Sequence, residues 1–164
     1  MSMTDRSAQS RRVRTSCSLS LALVAASLAS AHAADVVKPL VVRIAHGGPV
    51  SGPIAALGKD EENGVRMAID ELNARKLQLG GRPVHWKLEA GDDVGDPGQA
   101  TALARRFCDK KVAAVVGHLQ SGTTLPAAKI YNDCGIPHVT GAATNPNLTK
   151  PGYKTTFRII ANDN

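Results

Sequence analysis

Hydrophobic and polar positions along this chain alternate between short β-branched runs and longer stretches of helical period, the pattern of a parallel sheet with crossover helices. Leu40 to Ala45 is a first predicted strand, closed by His46-Gly47-Gly48-Pro49. From about Lys59 to Ala74, the residues Val65, Ala68, Ile69 and Leu72 share one face while Glu61, Glu62, Asp70 and Glu71 fall mainly elsewhere, which predicts an amphipathic helix. Gly80-Gly81 then breaks the chain. Val84 to Ala90 alternates with period two and reads as a second strand with one polar face, suited to a place near the sheet edge. Asp96-Pro97-Gly98-Gln99 is a helix start, with an Asp cap, Pro at the first helical position and Gln three residues on, and the helix runs to about Cys108. Val112 to Val116 is continuously apolar, as expected of a central strand covered on both faces. A third helix over 122–133 turns Leu125, Ala128 and Tyr131 or Ile130 inward and ends at Cys134-Gly135. Ile136 to Thr140 and Thr155 to Ile160 are the last two strands, separated by a long polar loop from Gly141 to Gly152. Because crossovers between parallel strands are right-handed, the alternation predicts a doubly wound α/β sheet of order 2-1-3-4-5, a single Rossmann-like lobe.

The first 33 residues do not fit this alternation. Arg6, Arg11, Arg12 and Arg14 precede an apolar run from Leu19 to Leu28 and the small-residue triplet Ala31-His32-Ala33, the order of a Sec-type signal peptide. The expected organisation is therefore a signal peptide over 1–33 and one lobe over 34–164, exported to the periplasm. Arg14 stands where twin-arginine export needs an apolar residue, and Arg14-Thr15-Ser16-Cys17 is no lipid-attachment signal. Of the formal charge of +6, half belongs to the leader, so the basic balance of the whole chain says little about partners. The 43% hydrophobic and 21% charged residues suit a globular core, and no other apolar run reaches the ~18 residues of a membrane helix, so no membrane insertion is expected after leader removal. The few aromatics and the scattered Lys and Arg argue against nucleic acid as a partner.

In a doubly wound sheet the ligand crevice lies beyond the carboxyl ends of the strands, which directs attention to His46–Pro53, Gly117–Ser121 and Gly141–Asn147. Ser121 opens a helix, where free N–H groups and the positive end of the dipole favour a carboxylate, although a serine in that position is often simply a cap. Gly141-Ala142-Ala143-Thr144 lets a ligand approach the backbone, and Thr144 both donates and accepts. Gly117-x4-Gly122-Thr123-Thr124 resembles a phosphate loop, but Thr123 replaces its lysine, so no nucleotide cofactor is expected. His46, His118 and His138, with Asp92 and Asp93, lie near strand ends, yet no close ligand pair supports a metal site. A hydrolase using Ser121 and His118 lacks G-x-S-x-G and any evident carboxylate to orient the histidine. Cys108 and Cys134, an even pair in an exported chain, suggest a disulfide, with two separately buried thiols as the alternative.

Val50-Ser51-Gly52-Pro53 through Leu57-Gly58, Asn63-Gly64-Val65, Ala68 to Asn73, Asp92-Asp93 with Asp96-Pro97, Gly117-His118-Leu119 with Ser121 to Pro126, and Ala142-Ala143-Thr144 occur in this order over nearly all of 34–164. Together they resemble the periplasmic leucine/isoleucine/valine-binding proteins of ABC importers, which have the type I periplasmic binding fold. The resemblance implies a binding protein rather than an enzyme, with an amino acid as ligand and an inner-membrane permease as partner. It places the ligand carboxylate at Ser121 and the carboxylate and ammonium against Ala142 and Thr144, with Ala143, Ser51 and Leu57 in the same loops and Asp163 near the pocket. Leu57 stands where well-known members carry an aromatic, and Gly95 and Gln120 stand where they carry a disulfide. Short-chain amides, urea and aromatic carboxylates remain alternative ligands, and a sensory domain an alternative role. The family closes two lobes on its ligand and draws the acid for the ammonium from the second. The 34–164 stretch corresponds to the first lobe alone, which leads us to expect a truncated form with weak binding by the isolated chain.

Overall fold

In a computed structural model, residues 37–164 are described; the leader predicted over 1–33 lies outside them. The elements follow in the order β1 (Leu40–Gly48), α1 (Ala55–Ala74), β2 (Gln78–Leu79), β3 (Arg82–Asp92), α2 (Pro97–Asp109), β4 (Ala114–Gly117), α3 (Ser121–Cys134), β5 (His138–Thr140), a 3-10 turn (Pro146–Leu148) and β6 (Thr156–Arg158). They form one sheet ordered β2-β3-β1-β4-β5-β6. All pairings are parallel except the antiparallel β2–β3. The five predicted strands thus stand in the expected order 2-1-3-4-5. The sixth, β2, is a two-residue addition: Gly80 and Gly81, both at positive φ, turn the chain tightly back onto β3.

Register decides which face each strand residue serves. Ala45 pairs with Val115, Val115 with His138 and His138 with Thr156, so these four form one row across the sheet, and all four are buried. Over the same face α2 and α3 deliver Leu103, Phe107, Ala127 and Tyr131 to the main core. On the other face α1 buries Gly58, Val65 and Ile69. A helix crossing from β1 to β3 lies over those two strands. It leaves β4 only half-covered on that side: Ala114 and Val116 are half-buried, whereas Val115 is fully buried. The expectation that Val112 to Val116 is covered on both faces is corrected accordingly, among the described residues. Ala68, expected inward, is exposed because the buried stripe of α1 runs through Val65 and Ile69 and no wider.

Local chemistry sets the element ends. The Asp96 side chain accepts the Gln99 N–H at 2.8 Å and Pro97 occupies the first turn, so α2 starts where the capping signal placed it. Gly135, at φ 73°, ends α3 in the left-handed conformation. Helix α1 begins at Ala55, about four residues before the predicted start. Gly58 permits this, since a Cβ there would lie 2.3 Å from the Pro49 carbonyl oxygen. The helix packs directly on the loop leaving β1. Its far end is tied to the sheet by Asn73, whose side chain accepts the Trp86 N–H at 2.9 Å and donates to the Trp86 carbonyl at 3.0 Å. Those backbone groups lie on the outer side of β3, beyond the reach of β2, so Asn73 takes the place of a neighbouring strand. A disulfide joins Cys108 to Cys134 and thereby the ends of α2 and α3.

Candidate functional site

An open cleft of about 630 Å³ lies at the carboxyl ends of the parallel strands. Three segments build it. The first turns of α1 contribute Leu57, Asp60 and Glu61; the β4–α3 junction contributes Leu119, Gln120 and Ser121; the loop after β5 contributes Gly141, Ala142 and Thr144. The parallel register forces this convergence, because β1, β4 and β5 all run the same way and discharge their loops at one edge.

Ser121 is the first residue of α3 and not its cap: Gln120 holds the cap position. Thr123 and Thr124 donate their N–H groups to the Gln120 carbonyl at 3.2 and 2.9 Å, while no acceptor among the described residues takes the N–H of Ser121 or Gly122. Two donors and the positive end of the helix are left for an anion. The Ser121 hydroxyl accepts the Asn145 N–H at 3.1 Å and still has its own proton to give. This bond stitches the two ligand loops together. Thr144, half-buried beside it, lines the cleft, while its carbonyl accepts the Asp163 N–H at 3.1 Å and the Asn145 carbonyl accepts from Arg158 at 3.0 Å. The loop is pinned through these carbonyls and through the Ala142, Ala143 and Asn145 N–H groups.

Four of the residues singled out in the sequence, Ser121, Ala142, Thr144 and Leu57, line the cleft. Three do not. Ala143 is 1% exposed and packs with Ala128 and Leu148 in a second small core, and its N–H is taken by the Thr140 hydroxyl at 3.1 Å. The loop bends at Gly141 and Ala142, and Ala142 and Thr144 line the cleft while Ala143 between them is turned into this small core. Ser51 is exposed and spends its hydroxyl on Asp92 at 2.5 Å. Although partial burial pulls the other way, the bonds from Ser51 and from the Val94 and Val50 N–H groups hold the Asp92 carboxyl below its ordinary range. Asp163 contributes a backbone bond to the loop, and its exposed side chain is not part of the lining. Glu61, expected on the solvent face of its helix, is a half-buried cleft residue instead. The missed signal is the helix start: with α1 beginning at Ala55, Leu57 and Glu61 are one turn apart on one face.

Beneath the cleft lies a buried polar cluster. His118 shares hydrogen bonds with Asp93 at 2.5 Å through Nδ1 and with the Tyr131 hydroxyl at 3.0 Å through Nε2. The sequence reading found no carboxylate to orient His118, and Asp93, 25 residues away, does so. The second ring nitrogen of His118 is bonded to Tyr131 and not to Ser121, whose hydroxyl accepts the Asn145 N–H. Burial, with Asp93 nearby, pushes the Tyr131 phenol above its usual range. His138 bonds the Gly117 carbonyl, and Thr140 and Thr124 both donate to the His118 carbonyl at 2.9 Å, fixing the β4–α3 turn from below. Among the described residues no three His, Cys, Asp or Glu side chains gather as metal ligands. Gly95 and Gln120 are neighbours, a Cβ on Gly95 lying 2.7 Å from Gln120 Oε1.

The buried histidines make folding sensitive to acid. Burial lowers the His138 pKa to about 4, helped by His118 and opposed by the Gly117 carbonyl. The folded state therefore disfavours protonation, and the stability this provides is complete above pH 6.5 and disappears as pH falls toward 4. The difference in unfolding free energy between the wild type and His138→Gln should shrink by roughly 3 kcal/mol from pH 7 to pH 4. Urea titrations of both at several pH values measure it, and a difference that does not vary with pH would contradict the assignment.

The fold is a doubly wound, mostly parallel α/β lobe with a cleft at the carboxyl ends of its strands. Residues 41–164 match the profile of the periplasmic binding protein family, and the chain belongs to that family. It is 40% identical over 123 residues to the leucine-, isoleucine-, valine-, threonine- and alanine-binding protein of Pseudomonas aeruginosa, covering 75% of this chain and 32% of that one. It is 40% identical over 140 residues to the Leu/Ile/Val/Thr-binding protein of Salmonella typhimurium, covering 85% and 36%. The chain spans about a third of the length of these curated relatives. Among solved structures it is similar to the branched-chain amino acid transporter substrate-binding protein LivJ of Streptococcus pneumoniae in complex with isoleucine. That match has a TM-score of 0.68 and 29% identity, over 75% of this chain and 34% of that one. A substrate-binding protein of Desulfitobacterium hafniense in complex with Leu matches with a TM-score of 0.65 and 31% identity, over 75% and 35%. These relatives are binding proteins of transport systems, not enzymes.

Proposed function

We propose that this chain is the ligand-receiving lobe of a periplasmic substrate-binding component of an ABC importer for branched-chain or related amino acids, exported by residues 1–33 and delivering its solute to an inner-membrane permease. The observation that carries the reading is the meeting of Ser121 and Thr144 in one cleft at an unfilled helix N-terminus. Free amides at Ser121 and Gly122 and the Ser121 hydroxyl suit a carboxylate. The Ala142 carbonyl and Thr144 hydroxyl suit an ammonium. Leu57 supplies an apolar wall for a branched side chain. The names of the relatives, which bind leucine, isoleucine, valine and threonine, agree with this donor set.

The described cleft is open to water, so polar contacts compete with solvent and little of a ligand would be enclosed. The isolated chain should accordingly bind leucine only weakly, in the millimolar range. In a titration followed by amide NMR shifts, leucine should move the Ser121 and Thr144 signals. Ser121→Ala should weaken that response about tenfold, the loss of one hydrogen bond to a charged group. Micromolar binding would overturn the expected weak affinity of the isolated chain, and shifts confined to parts of the chain away from Ser121 and Thr144 would refute the proposal.

A further inference from the structure

The cleft contains an acid that the ligand set just described does not use. Glu61 stands on the α1 wall, one turn beyond Leu57 and across the loop from Ala142. Its two oxygens have different surroundings. Oε1 is turned to the cleft beside Gly141, where a Cβ would meet it at 3.9 Å. Oε2 is buried and has no hydrogen-bond partner among the described residues. It shares the space beside Gly48 with Nε2 of His46: a Cβ built on Gly48 would lie 3.7 Å from the one and 3.0 Å from the other. His46 is itself fully buried, and among the described residues its ring nitrogens have no side-chain partner, only the Val116 backbone acting on the ring. A buried carboxyl oxygen without a donor is costly, and such groups persist where a ligand or water completes them.

We propose that Glu61 is a ligand-contacting residue, whose carboxylate receives the cationic group of a zwitterion with its own carboxylate at Ser121. The inference rests on the proposed function and narrows it: the cleft selects α-amino acids over monocarboxylates and amides of the same shape, because only they bring a cation for Glu61. The carboxylate also titrates in a useful range. Burial first, and the charge of Asp93 second, raise the Glu61 pKa to about 7. The groups that face it are His46 from β1, Asp93 from the loop after β3, Asp60 and Glu62 beside it on α1, and the amino end of α3. The loop after β5 brings no charge of its own between Gly141 and Asn145. His46 is held neutral, since burial lowers its pKa, so no fixed cation neutralises Glu61 in the free protein. A bound ammonium would favour the ionised acid, and binding should release a proton and strengthen as pH rises through 7.

The test compares L-leucine with 4-methylpentanoate, the same acid without its amine, by amide NMR titration of the full chain at pH 6 and pH 8. In the wild type, leucine should bind about tenfold more tightly than 4-methylpentanoate at pH 8. Its affinity should fall severalfold at pH 6, while that of 4-methylpentanoate should not. Glu61→Gln should remove most of the leucine preference, leaving only the part owed to the ammonium contacts with Ala142 and Thr144, and should flatten the pH dependence for leucine; Glu61→Asp, which keeps the charge, should restore part of the preference. Because both ligands are measured on one sample, the ratio is insensitive to a loss of folded protein. A leucine preference and pH dependence undiminished in Glu61→Gln, or equal affinities in the wild type, would overturn the role of Glu61 and leave the proposed function standing. If neither ligand moves the Ser121 amide, the proposed function fails and this inference with it.

Discussion

Replacing Asp93 by alanine should destabilise the chain by about 3 to 5 kcal/mol, a large part of the roughly 5 to 15 kcal/mol that holds a domain of this size together. Both side chains of the Asp93–His118 pair are fully buried, so neither can turn to water when the other is removed. One carboxyl oxygen of Asp93 is bonded to His118 Nδ1 at 2.5 Å, and the other accepts the Gly95 N–H at 2.8 Å. Alanine leaves both donors without a partner, and the cost is that of stranded buried polar groups more than of the contact itself. The position also ties β1 to the β3–α2 loop, since the Asp93 N–H donates to the Gly48 carbonyl at 3.1 Å. Asp93→Asn keeps an acceptor and should lose less. Urea unfolding of the three proteins followed by circular dichroism gives the ranking. A shift below 1 kcal/mol for the alanine variant would mean that the buried cluster relaxes or hydrates freely.

The second large effect is expected from the disulfide. The bond between Cys108 and Cys134 closes a loop over a separation of 26 residues, and in the chain-entropy description a loop of this size stabilises by about 3 to 4 kcal/mol. The two cysteines sit at the ends of α2 and α3, whose facing sides carry Leu103, Phe107, Ala127 and Tyr131, so the bond staples the largest part of the core. For a chain of this length such a loss corresponds to a fall in melting temperature of roughly 10 °C. Reduction by dithiothreitol and the double variant Cys108→Ser, Cys134→Ser should give the same fall. Equal unfolding midpoints for oxidised and reduced protein would show that the helices need no staple.

The elements of the candidate site differ in how far the amino-acid sequence exposed them. Ser121 and Thr144 were legible because each closely follows the carboxyl end of a β-branched run, and in a doubly wound sheet the segments at those ends meet at one edge. Ala143 carries the same small side chain as its neighbour Ala142, yet one is buried and the other lines the cleft. Composition cannot separate them, because the distinction lies in where the loop turns each Cβ, while the Thr140 hydroxyl takes the N–H of both. Glu61 was hidden by a four-residue error in the start of α1. That start depends on Gly58 passing the Pro49 carbonyl, a contact between segments and not a local preference. β2 escaped because two residues are too short to show a period, although Gly80-Gly81 carried the signal of a tight turn.

What the chain determined by itself was the succession of strands and helices and, through the handedness of their crossovers, the strand order, since periodicity and chirality act over a few residues at a time. Tertiary structure alone decided which neighbours in each loop turn toward the cleft, and how Asp93, His118 and Tyr131 come to share one network. Contacts between residues distant in the chain depend on register, helix start and close backbone approach together, and no local pattern carries all three.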